Sequence, residues 1–161
     1  MNAPSSEIKA VVMDVDGVLT DGSIYLSAEG PSYKRLSFRD VMGVSLGRKA
    51  GLQFALISGE GGPLLDRIAA QLGIAEVYPE CKDKADALQA FASRNGLSLS
   101  EVCFIGDDVN DLPAMALAGH SACPSDAHRT VAERADWVMR AGGGHGAARE
   151  LLDVLLSRPQ I

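Results

Sequence analysis

Two aspartates, Asp14 and Asp16, follow the apolar residues Val11-Val12-Met13 and are themselves followed by Gly17. Carboxylates at the end of a buried strand cost free energy unless a cation or hydrogen-bond donors accompany them. Folding alone gives no reason to place two of them there. The pair therefore indicates a metal site or a proton-transfer reaction at the carboxyl end of a strand.

Three further signals follow along the chain, and they are Ser58-Gly59, Lys84 and Gly106-Asp107-Asp108-Val109-Asn110-Asp111. Ser58 or Lys84 alone would be interpreted as a capping or surface residue. Clustered carboxylates, however, repel one another unless a hard cation lies between them. An aspartate, a hydroxyl, a lysine and magnesium together suit phosphoryl transfer through an aspartyl phosphate.

Other metal sites do not fit the spacing of the candidate ligands. Val18 and Tyr25 occupy the fifth and twelfth positions counted from Asp14, where a calcium-binding loop needs oxygen ligands. The cysteines are odd in number and widely spaced, which suits neither a disulfide framework nor a zinc site, and they are Cys81, Cys103 and Cys123. Oxygen ligands supplied by the aspartates remain the candidates.

Short apolar runs alternate with amphipathic stretches of helical length, which predicts an α/β fold with a doubly wound parallel sheet flanked by helices. The runs are residues 10–15, 54–57 and 102–105, and the predicted helices are residues 41–50, 64–72, 84–94, 112–118, 127–134 and 147–155. Residues 23–26 and 33–38 break the alternation and predict a projecting β-hairpin with a turn at Gly30 and Pro31. In a doubly wound sheet the four signals would meet at the carboxyl ends of the strands.

Size and composition fit one globular domain, since the chain has 161 residues of which 47% are hydrophobic. We expect a disordered start at residues 1–7 and a single domain over residues 8–161, with the hairpin insertion at about 23–38 and a C-terminal tail at about 141–161. A cluster of glycines at residues 142–144 predicts a mobile joint before the last helix.

The charge balance excludes nucleic acid as a partner, because 21 acidic residues face 15 Lys and Arg and no basic stripe appears. The start of the chain has no apolar signal core, and no stretch approaches the length needed to cross a membrane. We expect a cytoplasmic protein that acts on a small molecule.

The four signals resemble the motifs of the haloacid dehalogenase superfamily of phosphohydrolases, and they occur in that family's order. The matching segments are Asp14-Val15-Asp16-Gly17-Val18-Leu19-Thr20-Asp21-Gly22, Ile57-Ser58-Gly59, Lys84 and Gly106-Asp107-Asp108-x-x-Asp111. The resemblance implies a Rossmann-like fold in which Asp14 is the nucleophile and Asp16 the general acid and base. Ser58 and Lys84 would bind the transferring phosphoryl group.

The same resemblance implies one Mg²⁺ as cofactor. Its ligands would be the carboxylates of Asp14 and Asp107 and the backbone carbonyl of Asp16. Asp108 and Asp111 would hold these ligands in place without binding the ion themselves. The nucleophile must stay ionised beside the metal, whereas the general acid must hold a proton, so the two environments should differ.

The chain also resembles the branch without a cap domain that contains 3-deoxy-manno-octulosonate 8-phosphate phosphatases and nonulosonate 9-phosphate phosphatases. Only 42 positions separate Asp16 from Ser58, and only 26 separate Ser58 from Lys84, which leaves little space for a cap. The resemblance implies an acidic sugar phosphate as substrate and a homotetramer whose hairpins form a central barrel, with each active site completed by a neighbouring subunit.

Four residues are predicted to bind the substrate. Arg39 and Arg149 would bind a substrate carboxylate, although Arg39 could equally be a solvated charge beside a strand end and Asp40 could cap the helix that follows. Gly59 and Glu60 would face the substrate. Glu60 stands where the octulosonate phosphatases usually have arginine, and a carboxylate there disfavours a second anion, which favours nine-carbon 9-phosphates.

Two other functions remain open. A phospho-accepting signalling receiver also uses Asp, a hydroxyl, Lys and magnesium, but its phosphorylated aspartate stands alone on a middle strand. A catalytically dormant oligomerisation module, related to the C-terminal domain of sialic acid cytidylyltransferases, would keep the fold without turnover. Neither the particular ulosonic acid nor the preferred divalent metal follows from the sequence.

Overall fold

The computed structural model describes residues 7–28 and 33–157. Residues 1–6 of the expected disordered start, the expected turn at Gly30 and Pro31, and the last four residues of the expected tail lie outside the described residues. The helices of the described ranges include none long and apolar enough to cross a membrane.

Within residues 7–28 and 33–157, six parallel strands form one sheet in the order β3-β2-β1-β4-β5-β6. The strands are β1 (Ala10–Met13), β2 (Gln53–Ile57), β3 (Glu76–Tyr78), β4 (Val102–Ile105), β5 (His120–Cys123) and β6 (Trp137–Val138). The predicted α/β class with a doubly wound parallel sheet is confirmed. The predicted apolar runs correspond to β1, β2 and β4. They do not include β3 and β6, which have only three and two residues, or β5, which contains His120 and Ser121.

Both faces of the sheet are buried, as expected where helices cover a parallel sheet. Val11 and Met13 of β1 pack into one apolar cluster, while Ala10 and Val12 pack into the other. This alternation follows from the two-residue period of a strand. Apolar residues are therefore needed at every position of β1, because its side chains pack on both faces of the sheet.

Among the described residues, six α-helices surround the sheet, and they are α1 (Phe38–Lys49), α2 (Pro63–Leu72), α3 (Lys84–Arg94), α4 (Leu112–Leu117), α5 (Arg129–Ala132) and α6 (Ala147–Leu156). Side chains of α1, α2 and α6 belong to the first cluster, and those of α3 and α4 to the second. Four helices, α2, α3, α4 and α6, agree with the prediction to within one residue at each end. α5 spans only four of the eight predicted residues, because His128 caps it by accepting a hydrogen bond from the backbone N–H of Thr130.

The prediction for the start of α1 was wrong. The helix begins at Phe38, three residues before the expected Val41, because the Ser37 hydroxyl accepts a hydrogen bond from the backbone N–H of Arg39. Asp40 therefore lies in the first turn and does not cap its own helix. Its buried carboxylate instead accepts hydrogen bonds from the backbone N–H groups of Gly146 (3.2 Å) and Arg149 (2.9 Å) at the start of α6.

The predicted hairpin strands are also not formed over their expected lengths. Among the described residues, pairing is limited to one antiparallel bridge, in which Tyr25 and Tyr33 exchange two backbone hydrogen bonds. The return segment instead directs Lys34 and Arg35 toward the body of the protein and then enters α1. An isolated two-stranded ribbon gains too little burial to extend further by itself.

The predicted mobile joint at residues 142–144 is a packed loop. Gly144 donates a backbone hydrogen bond to the carbonyl of Val18 (2.9 Å), and Gly143 donates one to Asp126 (2.9 Å). A Cβ atom at Gly143 would overlap the backbone of Gly17. The glycines are needed for this close approach, which fixes the loop after β1 against the start of α6.

Candidate active site

The carboxyl ends of the central strands bring the predicted motifs together. Met13 lies beside Leu56 of β2 on one side and beside Ile105 of β4 on the other, so the three strands end at the same level. Asp14, Ser58 and the loop that begins at Gly106 therefore share one edge of the sheet. Lys84 reaches the same edge from the first position of α3.

Lys84 connects two of the aspartates. Its Nζ atom lies 2.9 Å from Oδ1 of Asp14 and 2.6 Å from Oδ1 of Asp111, and its side chain is almost fully buried. Burial lowers the pKa of the Lys84 ammonium, but the two carboxylates outweigh that effect and raise it above its usual value. Lys84 is therefore a permanent positive charge beside Asp14.

Asp111 orients the other groups. Its Oδ1 accepts from Lys84, and its Oδ2 accepts from the backbone N–H groups of Asp107 (2.9 Å) and Asp108 (3.2 Å). Both oxygens are thus engaged, and the side chain is fully buried. Support of the metal ligands by Asp111 stays a prediction.

The ionised forms of Asp14 and Asp107 are disfavoured in the cluster, so the pKa values of both carboxyls are raised. Burial, and next the charge of Asp111, raises the pKa of Asp14 to about 6. Burial and the neighbouring Asp14 raise the pKa of Asp107 to about 8. One carboxylate oxygen from each of Asp14, Asp107 and Asp111 lies within 4.8 Å of the others.

The donor set of this cluster fits a hard divalent cation. Oδ1 of Asp107 is buried without a hydrogen-bond partner among the described residues, and such an orphaned oxygen is a candidate ligand. Gly17 leaves room for the Asp107 carboxylate, because a Cβ atom at that position would overlap its Oδ2. Gly17 also has a positive φ of 87°, which favours glycine.

Asp16 is held by two donors. The Thr20 hydroxyl donates to its Oδ1 (3.1 Å), and the Lys34 ammonium lies 2.7 Å from its Oδ2. Sequence reasoning missed Lys34, because residues 33–38 were assigned to a hairpin strand with no reason to contact the site. The only signal was a cation shortly after the predicted turn.

Ser58 is buried and presents its hydroxyl at the strand end. Its Oγ accepts a hydrogen bond from the backbone N–H of Glu60 (3.1 Å), which leaves the hydroxyl hydrogen for another acceptor. Gly59 and Glu60 are exposed at the same edge. The Glu60 carbonyl accepts from the backbone N–H of Glu80, a non-glycine residue in the left-handed region with φ of 49°.

The remaining predicted residues lie outside this cluster. Asp108 is exposed, and its side chain accepts from the backbone N–H of Val109 at the start of a short 3-10 turn. The Nε–H of Arg149 donates to both carboxylate oxygens of Asp153 in its own helix, at 2.8 and 2.9 Å. Arg39 is exposed and packs near Gly146. Substrate binding by the two arginines stays a prediction.

Comparison with known proteins identifies the family of this chain. Residues 54–151 match the family described as haloacid dehalogenase-like hydrolase. The 3-deoxy-D-manno-octulosonate 8-phosphate phosphatase of Escherichia coli is 35% identical over 96% of this chain and 82% of its own length.

Two solved structures are similar in fold and sequence. A cobalt-bound octulosonate 8-phosphate phosphatase from Haemophilus influenzae has a TM-score of 0.90 and 38% identity, covering 93% of this chain and 88% of its own. The enzyme from Moraxella catarrhalis, in complex with magnesium, phosphate and 3-deoxy-D-manno-octulosonate (KDO), has a TM-score of 0.90 and 33% identity, covering 93% and 86%.

Proposed function

Because this chain belongs to the haloacid dehalogenase-like hydrolases, we propose that it is a magnesium-dependent phosphatase of 3-deoxy-ulosonic acid phosphates. The first candidate substrate is 3-deoxy-D-manno-octulosonate 8-phosphate, on which the E. coli relative acts by name. The observation that carries the proposal is the buried Asp14–Lys84–Asp111 chain beside Asp107, at the strand end where Ser58 presents its hydroxyl.

In the first step Asp14 attacks phosphorus, and the bond between phosphorus and the sugar oxygen breaks. The proton of Asp16 passes to the departing oxygen, so the sugar leaves as an alcohol. Lys84, in contact with Asp14, offsets negative charge on the phosphoryl group, and the Ser58 hydroxyl donates to one of its oxygens. The product is an aspartyl phosphate on Asp14.

In the second step water attacks the aspartyl phosphate. Asp16, now a carboxylate, takes the proton of the water, and the bond between phosphorus and Asp14 breaks with its electron pair returning to the carboxylate. Inorganic phosphate leaves, and Asp16 holds the proton that the next sugar oxygen will receive. Asp16 is the residue that separates this enzyme from a signalling receiver, which keeps its phosphate.

Asp14, Asp107 and the backbone carbonyl of Asp16 would hold Mg²⁺. When bound, the ion supplies positive charge that stabilises the transferring phosphoryl group and keeps Asp14 ionised. The Moraxella relative in complex with magnesium and the cobalt-bound Haemophilus relative support a divalent metal in this family. The crowded carboxylates and the orphaned oxygen of Asp107 support it in this chain.

A nonulosonate 9-phosphate is the second candidate substrate, and the observation that favours it is Glu60. This carboxylate is exposed two residues after Ser58, at the edge where the sugar would bind. A negative charge there favours hydroxyl groups over a second anion. Glu60 therefore bears on the choice between the eight-carbon and nine-carbon acids.

The proposal includes a homotetramer in the cytoplasm. Six apolar side chains on the segment from the tyrosine bridge to α1 are exposed, and they are Ile24, Tyr25, Leu26, Tyr33, Phe38 and Met42. An exposed apolar set of this size favours a protein partner, and a second copy of this chain would also bring Arg39 or Arg149 to a neighbouring site. A phosphorylated sugar acid is charged and does not cross a membrane unaided, which fits a cytoplasmic enzyme.

The test is a comparison of kcat/KM for octulosonate 8-phosphate, nonulosonate 9-phosphate and glucose 6-phosphate, with Mg²⁺ present. We expect one of the two acids to exceed glucose 6-phosphate by at least about 100-fold, since a site built for a charged group rejects substrates that lack it. Asp14→Asn should lower turnover by at least about 1,000-fold with the fold retained. Equal specificity constants for all three substrates would contradict the substrate class, and an active Asp14→Asn would contradict the mechanism.

A further inference from the structure

Lys34 is a largely buried cation whose one salt bridge, within the part of the chain that the structure describes, is with the carboxylate of Asp16. The Nζ–Oδ2 distance is 2.7 Å, and the Lys34 side chain is only 11% exposed. A desolvated ammonium held at this distance forms a stronger, charge-assisted hydrogen bond than an exposed pair does. The contact is therefore a fixed element of the site.

Thr20 completes the restraint on Asp16. The Thr20 oxygen accepts from the backbone N–H groups of Gly17 (3.4 Å) and Gly22 (3.2 Å), so its hydrogen is directed to Oδ1 of Asp16. Thr20 is fully buried. One donor thus holds each oxygen of Asp16, and together they fix the plane of the carboxylate.

Lys34 reaches Asp16 from a different segment of the chain. Its neighbour Arg35 donates to the carbonyl of Gly144 (2.8 Å), which anchors that segment on the packed glycine loop. Lys34 also borders a cavity of about 240 Å³ whose lining includes Leu36, Phe38 and Val41. The position of the ammonium is therefore set by tertiary contacts and not by the loop that carries Asp16.

We infer that Lys34 is a positioning residue that holds the Asp16 carboxylate in place for the attack of water on the aspartyl phosphate. The inference rests on the two-step mechanism of the proposed function, but not on the identity of the sugar. A carboxylate that accepts from donors at both oxygens is arranged as a base. That arrangement matches the second step, in which Asp16 receives a proton.

The first step should depend less on Lys34 when the leaving group needs no proton. p-Nitrophenolate is a weak base and departs from phosphorus without a proton donor, whereas hydrolysis of the aspartyl phosphate still requires the Asp16 base. Lys34→Met removes the ammonium and keeps most of the apolar length of the side chain. With p-nitrophenyl phosphate, the variant should therefore be slowed specifically in the second step.

The experiment is rapid-quench and stopped-flow kinetics of the Mg²⁺-loaded enzyme with p-nitrophenyl phosphate. We expect Lys34→Met to release a burst of about one p-nitrophenolate per active site, to accumulate phosphoenzyme, and to show a steady-state kcat about 10-fold to 100-fold below wild type. A displaced catalytic group commonly costs up to about 100-fold. Lys34→Arg, which keeps a cation, should recover part of this loss.

Lys9→Met is the matched control, because it also removes an ammonium from a short ion pair. The Nζ atom of Lys9 lies 2.6 Å from Oε1 of Glu101, and the Lys9 side chain is half exposed. Lys9 precedes β1, at the end of the strand opposite to Asp14. The Lys9→Met variant should show the burst and the steady-state rate of the wild type. A Lys34→Met enzyme without a burst would overturn the inference, whether its kcat were unchanged or reduced through the first step alone.

Failure of the proposed function would look different. If the wild type hydrolyses p-nitrophenyl phosphate but no ulosonic acid phosphate, the substrate assignment is wrong. The inference about Lys34 is then still tested by the burst of p-nitrophenolate from Lys34→Met. A wild type that hydrolyses neither p-nitrophenyl phosphate nor any ulosonic acid phosphate would contradict both.

Discussion

At the scale of single residues, Asp111 explains why the site holds its shape. Its carboxylate binds Lys84 with one oxygen and the backbone of the loop carrying Asp107 with the other. Asp14 is thereby tied to Asp107 through Lys84 and Asp111. Burial raises the pKa of both Asp14 and Asp107, and a neighbouring carboxylate adds to the effect, Asp111 at Asp14 and Asp14 at Asp107.

Asp107 should make the stability of the metal-free protein depend on pH. Burial and Asp14 raise its pKa from an ordinary 3.8 to about 8 in the folded state. The folded protein then binds more protons than the unfolded chain between these values, so stability should fall as the pH rises from about 4 to about 8. Asp107→Asn should remove this contribution and be more stable than wild type at pH 8 by about 2 kcal/mol.

Urea unfolding at a series of pH values, in EDTA and in MgCl₂, measures this effect. The difference between Asp107→Asn and wild type should be near zero at pH 4 and grow toward pH 8. Magnesium should stabilise the wild type and have little effect on the variant, because the variant lacks a charged ligand. A difference that is constant with pH would show that Asp107 is not the titrating group.

The sequence predicted the acidic chemistry of the site but not all of its contacts. Asp14, Ser58, Lys84 and Asp107 could be found because each lies within two residues of the end of a strand or starts a helix, and parallel strands end at one edge. Lys34 could not be found, since its contact with Asp16 depends on a segment that was expected to pair as a hairpin. A contact between residues far apart in the sequence produces no periodic pattern from which it could be predicted.

At the scale of elements, the contact between α1 and α6 holds the last helix in place. Gly146, the residue before α6, has no side chain to cap the helix, and Asp40 of α1 supplies the missing acceptor. Gly43 lets the two helices approach closely, because a Cβ atom there would press on Arg149. The sequence suggested a capping role for Asp40 but assigned it to the wrong helix, since a cap from another element cannot be read from local spacing.

Asp40→Ala should therefore destabilise the protein by about 1–3 kcal/mol. The substitution leaves the backbone N–H groups of Gly146 and Arg149 without their acceptor in a buried place. Asp40→Asn keeps one carbonyl oxygen and should lose clearly less. Urea unfolding of wild type, Asp40→Asn and Asp40→Ala measures their order of stability. Equal stability of Asp40→Ala and wild type would exclude a stabilising cap by Asp40.

At the scale of the whole molecule, exposed apolar side chains are concentrated on one segment. Leu26 and Phe38 are each 80% exposed, on either side of the bridge between Tyr25 and Tyr33. The sequence predicted strands here because the segment is rich in aromatic and aliphatic residues. That composition would also suit an interface, and an interface needs no regular pairing within one chain.

Replacing two of these side chains should change the assembly. We expect the wild type to elute as a tetramer, measured by size-exclusion chromatography with light scattering, and Leu26→Asp/Phe38→Asp to elute as a monomer with reduced kcat/KM. Leu117→Asp on α4 is the control, because Leu117 is also an exposed apolar residue but lies outside this segment. A monomeric wild type would contradict the tetramer.

The packed loop at Gly143 and Gly144 also has a consequence for synthesis on the ribosome. Every acidic residue of the site has been translated by Asp111, yet the contacts of Gly143 with Gly17 and of Gly144 with Val18 come more than thirty residues later. A nascent chain that has emerged only through β5 would carry the full set of reactive groups, but the loop after β1 would still lack its contacts with Gly143 and Gly144. Enzymatic competence should therefore appear late and abruptly during translation, when α6 docks.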